Sequence, residues 1–207
     1  MSIDKVYNAV IDFDNEQVVK FVQEELAKGT DVSKILSEGL IGAMDEVGRR
    51  FSEGEFFVPE MLMAAKAMKA GLDVLKPLLA EGGEEKKGTI VIGTVKGDLH
   101  DIGKNLVSMM MEGAGFEVFD LGVDVDTDKF IQTAKEKNAN IICMSALLTT
   151  TMPGMEETIK KIKAEGLSIK TMVGGAPVTQ GFAERIGADG WSEDGPKAVE
   201  TARKLLA

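Results

Sequence analysis

The chain has 207 residues, 34 acidic against 24 basic, and a formal net charge of -10. That length fits one large domain or two small ones, and 44% apolar content supplies a core, so a wholly disordered chain is excluded. The acidic balance, shared by both halves, argues against binding nucleic acid or anionic membranes, and a single cysteine, Cys143, excludes a disulfide framework or a multi-cysteine metal cluster.

The first residues, Met1-Ser2-Ile3-Asp4-Lys5, form no apolar signal core. No apolar run approaches the ~18 residues of a membrane span. A cytoplasmic protein with no membrane partner is expected.

Residues 1–80 read as helical. A short helix over 3–12 is followed by Asp14–Lys28, with Val18, Phe21, Val22 and Leu26 on one face and Gly29 as a stop. Thr30 is placed to cap a third helix, where Val32, Ile35, Leu36, Leu40, Ile41, Met44 and Val47 recur at spacings of three and four. Pro59 suits the first turn of a fourth helix carrying Met61, Met68, Leu72, Leu75 and Leu79. Short connections between these elements predict a small four-helix bundle. Residues 81–88, Glu-Gly-Gly-Glu-Glu-Lys-Lys-Gly, have no apolar member and read as a linker.

From residue 89 to 207 the pattern changes. Short apolar runs at Thr89–Gly93, Glu117–Leu121, Asn140–Ser145 and Ile169–Gly174, and a weaker one near Asp189–Trp191, alternate with helical stretches. Such alternation predicts an α/β domain of flavodoxin-like or Rossmann-like type, with a five-stranded parallel sheet covered on both faces. In these sheets ligands sit beyond the carboxyl ends of the strands. The segments after residues 93, 121, 145 and 174 are therefore where chemistry is expected.

The segment after the first strand reads Gly93-Thr94-Val95-Lys96-Gly97-Asp98-Leu99-His100-Asp101-Ile102-Gly103-Lys104-Asn105. Its glycines are spaced wrongly for a dinucleotide fingerprint. It also fails as a P-loop, because the glycines are one residue too far apart and Asn105 stands where a magnesium-binding hydroxyl is needed. What remains is Asp98-x-His100-x-x-Gly103, the chain's one histidine beside a carboxylate. A carboxylate fixes an imidazole's tautomer and raises its basicity, as it does for metal-ligating histidines. Gly103 is expected to turn the loop tightly into its helix. A lone histidine cannot build an ordinary zinc site, but it suffices as an axial ligand to a macrocycle carrying its own equatorial nitrogens. Ser145-Ala146-Leu147-Leu148-Thr149-Thr150-Thr151 follows the third strand, and Gly174-Gly175 would let a bulky ligand approach backbone after the fourth. Cys143, inside an apolar strand, is expected to be core. Trp191 suits either the ligand slot or core packing, and Lys160, Lys161 and Lys163 suit a solvated helix face.

Together, Asp98/His100/Gly103, Ser145/Leu147 and Gly174/Gly175 resemble the motif of corrinoid-binding proteins in the cobalamin-dependent methyltransferase family. Met44 to Glu60 resembles the helical cap of methylcobalamin-binding modules, so the resemblance spans essentially the whole chain. It implies a cobalamin or related corrinoid bound base-off/His-on, with His100 as lower ligand to cobalt. It also implies a ligand relay of Asp98, His100 and Thr151, and cofactor contacts from Asp101, Ile102 and Gly103. The displaced nucleotide tail would lie in a slot lined by Ser145, Leu147, Thr149, Gly174 and Gly175, and Phe51, Val58 and Met61 of the cap would shield the methyl group. The implied role is a non-catalytic methyl carrier cycling between Co(I) and methyl-Co(III). Its implied partners are a substrate-specific methyltransferase, an acceptor methyltransferase using tetrahydrofolate or a thiol, and a reductive activation protein. The alternatives are the cobalamin-binding subunit of an adenosylcobalamin mutase, which typically lacks such a cap, and a cobalamin-binding regulatory module. The latter needs a basic DNA-binding domain that this acidic chain does not show. A cofactor-free signalling domain leaves the Asp98–Gly103 motif unexplained.

Overall fold

The computed structural model describes residues 3–82 and 87–207. The chain divides into two compact units, Met1–Glu85 with Glu112–Gly115, and Lys86–Met111 with Phe116–Ala207.

In the first unit, α1 (Ile3–Ile11) and α2 (Asn15–Ala27) are followed by α3 (Val32–Lys34), which runs without a break through a π-helical segment, Ile35–Ile41, into α4 (Gly42–Ser52). With α5 (Val58–Gly82) this makes the expected four helical rods. Asp31, not Thr30, caps the third rod by accepting from the Lys34 amide. Thr30 lies one residue too early and instead donates to the buried Glu25 carboxylate at 2.9 Å. The π-helical segment was not anticipated, because apolar spacings of three and four do not distinguish it from an α-turn. Val6, Val18, Val22, Ile35, Leu40, Val47, Met68 and Leu75 form the core of this unit. Gly71 permits the closest approach: a Cβ there would meet Val18 at 2.7 Å and Leu40 at 2.8 Å. Helix α5 continues through Glu81 and Gly82, two residues into the expected linker. Residues 83–86 of that linker lie outside the described residues.

The second unit begins at β1 (Thr89–Thr94) and continues with α6 (Ile102–Gly113), β2 (Glu117–Asp120), α7 (Thr127–Glu136), β3 (Ile141–Ser145), α8 (Pro153–Ala164), β4 (Lys170–Gly174), α9 (Gln180–Ile186), β5 (Gly190–Trp191) and α10 (Gly195–Leu205). The strands lie in the order β2-β1-β3-β4-β5, all parallel. This is the flavodoxin-like, Rossmann-like winding. The central strands are buried along nearly their whole length, which is why they read as continuous apolar runs. Val91, Ile142, Val173, Phe130, Met155 and Ile159 belong to one buried cluster. Cys143 is buried as expected, and burial pushes its thiol up to about 12. Trp191 packs against the core and donates its indole N–H to the Val178 carbonyl at 2.9 Å, so its polar atom is used internally. Strand order reverses between β1 and β3, and a crevice for ligand opens at the carboxyl ends of strands at such a point.

Candidate cofactor-binding site

The loops leaving β1 and β3 meet at this switch point, and Asp98 joins them. Its side chain is fully buried. One carboxylate oxygen accepts from the His100 Nδ1 at 2.7 Å and the His100 amide at 3.1 Å. The other accepts from the amides of Leu147 and Leu148 at 2.8 and 3.1 Å, and from the Thr151 hydroxyl at 2.8 Å. Burial opposes ionisation of Asp98, but the bonds from His100, Leu147 and Thr151 outweigh it and hold the carboxyl well below the usual carboxylate range. The ionised carboxylate can only accept, so Nδ1 carries the ring proton and Nε2 of a neutral imidazole carries the free lone pair. The His100 side chain is about half exposed, at 51%. It is thus a donor oriented from behind and open in front. The single hydroxyl proton of Thr151 also faces the Leu148 carbonyl at 2.8 Å, so it can shift away from Asp98.

The two loops that meet at Asp98 also expose large apolar side chains. Leu99 and Ile102 are 72% and 78% exposed, and Leu147 and Leu148 are 43% and 42% exposed. Such a patch beside one oriented nitrogen suits a large, flat, partly apolar ligand. Gly103 does not serve the tight turn expected of it. Its φ is not in the left-handed region, since it already belongs to α6. A Cβ there would meet nothing within 4 Å, so the glycine keeps open space beside the histidine loop. Asp101 precedes α6, accepts from the Asn105 amide and side chain, and is exposed.

Ser145 and Gly174 are register partners at the ends of β3 and β4. Gly175, at φ +120, would place a Cβ 2.0 Å from the Ala146 carbonyl oxygen, so packing alone demands glycine there. At Gly174 the nearest atom is Ser192 O at 3.4 Å, an ordinary contact, so packing does not demand glycine. Thr149 is exposed in the same loop as Leu147. In the helical unit, Phe51 is half-buried, Val58 is 40% exposed, and Met61 is fully buried. The larger exposed group is Phe57 at 64%, next to Val58 and unnoticed in the sequence because it falls between helices. Thr94 was missed as well; its buried hydroxyl donates to the His100 carbonyl at 2.8 Å.

The donor chemistry fits a corrinoid. Among the described residues no group of three or more His, Cys, Asp or Glu is placed to hold a bare ion. One oriented imidazole with an apolar surround is what a cobalt already ringed by corrin nitrogens would need.

Comparison with known proteins agrees. A B12-binding domain family matches residues 88–200, and a second B12-binding domain family matches residues 2–76. The chain belongs to the B12-binding corrinoid proteins of methyltransferase systems. Dimethylamine corrinoid protein 1 of Methanosarcina acetivorans is 47% identical over 209 residues, covering 99% of this chain and 97% of the relative. Trimethylamine corrinoid protein 1 of the same organism is 43% identical over 208 residues, covering 99% and 96%. Among solved structures, the methanol:cobalamin methyltransferase complex MtaBC of Methanosarcina barkeri superposes with TM-score 0.88 at 29% identity, covering 99% of this chain and 79% of that one. A cobalamin-binding protein of Desulfitobacterium hafniense superposes with TM-score 0.82 at 35% identity, covering 99% and 98%. No helix among the described residues is long and apolar enough to cross a membrane.

Proposed function

We propose that this chain carries a corrinoid base-off/His-on, with His100 Nε2 as lower axial ligand, and that it moves methyl groups from a substrate-specific methyltransferase to a second, acceptor methyltransferase. The observation that carries the reading is the Asp98–His100 pair: a buried carboxylate that uses Nδ1 and leaves Nε2 open among exposed apolar side chains. A bound corrinoid would supply the cobalt chemistry that accepts and gives up a methyl group, and His100 would hold it. Asp98 holds the imidazole in one tautomer, and Thr151 offers a proton that can favour either Asp98 or the Leu148 carbonyl. Movement of that proton changes the negative charge felt by the ring and thus its strength as a donor. Leu99, Ile102 and Leu147 exclude water from the lower face. Ser145 and Gly174 leave room for the displaced nucleotide tail.

The names of the relatives favour a methylamine as methyl source. The full-length likeness to such proteins and the separate match of residues 2–76 weigh against a mutase subunit or a regulator. Electron supply by a reductive activation protein belongs to the same reading. The test is an absorbance titration of the reconstituted protein: cobalamin, then titanium(III), then dimethylamine with its methyltransferase. Retention, reduction and remethylation support the carrier. Failure to retain any corrinoid removes it.

A further inference from the structure

The histidine loop is held on both sides by the segment that runs from the end of β2 to α7. Asp124, in the segment between β2 and α7, adopts φ +55, a left-handed conformation that side-chain-bearing residues rarely take and that aspartate and asparagine tolerate best. In that conformation its carboxylate accepts from the Gly97 amide at 2.7 Å, while its own amide donates to the Asp98 carbonyl at 3.0 Å. At the loop's far end, the Lys104 side chain is 1% exposed, and its ammonium pairs with Asp120. Asp120 in turn accepts from the Gly122 amide at 2.8 Å.

The connection is itself pinned to β1. The Leu121 amide donates to Ile92 O at 2.8 Å, the Thr94 amide to Gly122 O at 3.0 Å, and the Val125 amide to Thr94 O at 2.9 Å. Two aspartates of one rigid segment therefore fix Gly97 and Lys104, the two sides from which His100 is hung. A buried lysine and a strained aspartate are both costly unless the surroundings hold them, and here both costs fall on the same short loop.

We propose that Asp124, with Asp120 at the other end, is a positioning residue that sets how firmly His100 ligates cobalt. The proposal rests on the His100 reading above and adds to it a control from the β2 side of the sheet. Asp98 acts on the imidazole ring. Asp124 and Asp120 act on the backbone that places the ring.

The experiment uses full-length protein loaded with cobalamin and measures the Co(II)/Co(I) midpoint alongside the nitrogen splitting in the Co(II) electron paramagnetic resonance spectrum. Histidine binds Co(II) and not Co(I), so weaker ligation makes reduction easier. Asp124→Gly keeps the left-handed backbone and removes the carboxylate. A tenfold loss of His100 affinity for Co(II) is expected, moving the midpoint upward by about 59 mV. Asp124→Asn keeps an acceptor oxygen and should restore ligation to within about threefold of the parent protein. A folded Asp124→Gly protein with an unmoved midpoint overturns the proposal. If Asp124→Gly does not fold, Asp120→Asn decides: an upward shift supports the proposal and an unmoved midpoint overturns it. Thr171→Val, which breaks the hydroxyl bond from buried Thr171 to Asp189 at the start of β4, should leave the midpoint in place even where it lowers stability. A matching shift in that variant assigns the effect to general loosening and also overturns the proposal. If the parent protein shows no histidine nitrogen on Co(II), the failure lies in the ligand reading itself.

Discussion

Each unit of the molecule buries one notable carboxylate, and the two are wired differently. In the helical unit, Glu25 is 2% exposed and accepts from Lys28 at 2.8 Å and Thr30 at 2.9 Å, both just past the end of its own helix. In the α/β unit, Asp98 is met by partners two, 49, 50 and 53 residues away, and one of them is a half-exposed imidazole. Met by a lysine and a hydroxyl just past its own helix, a buried carboxylate finishes that helix. Satisfied across two strand ends with an open base in front, it builds a site.

The comparison breaks most visibly at Asp98. Asp98→Ala strands the amides of Leu147 and Leu148 and the Thr151 hydroxyl. It should cost about 3 kcal/mol in urea unfolding of the apo-protein and abolish corrinoid retention. The pH dependence follows the same wiring. The lowered pKa of Asp98 contributes stability that is fully present above the ordinary carboxylate value of about 3.9 and is lost as pH falls from there through the lowered folded-state value. Acid unfolding of Asp98→Asn should lack that part of the slope.

His100→Ala sharpens the contrast between fold and site. Its side chain is about half exposed, so stability should change by no more than about 1 kcal/mol. Corrinoid affinity should fall by about tenfold or more. Equal affinity in a dialysis or fluorescence-quenching titration would separate His100 from the ligand. Thr151→Val should cost about 1 kcal/mol and shift the pH at which histidine leaves the cobalt, read from the visible spectrum. Glu25→Gln should cost a similar ~1 kcal/mol in unfolding and leave corrinoid affinity untouched. A loss of affinity there would erase the distinction between the two carboxylates. Smallest of all, Cys143 should resist alkylation at pH 8 in the native protein and react only on unfolding, because burial raises its thiol to about 12.

Much of this was legible in the residues. Strand–helix alternation predicted the five parallel strands, and the fourfold helical periodicity predicted the bundle, because both signals are local. Asp98 and His100 stood out as the one carboxylate–imidazole pair at the end of the first strand. Asp124 and Asp120 were not legible. Their effect depends on a left-handed turn and on register with β1, and nothing in Asp-Leu-Gly-Val-Asp says which amides those carboxylates will meet. Gly103 misled for a related reason. Glycine suggests a turn, whereas its place in α6 shows that open space matters more than conformation. Phe57 escaped because an exposed aromatic between two helices has no periodicity to betray it.

The central claim is that His100 is the lower ligand, and the chain's single histidine makes it directly testable. The protein is prepared with natural and with 15N-labelled histidine, loaded with cobalamin and poised as Co(II). The account predicts a nitrogen triplet in the electron paramagnetic resonance spectrum that becomes a doublet on histidine labelling. A triplet that persists in the labelled protein, as the corrinoid's own base would give, or no splitting at all, would contradict it.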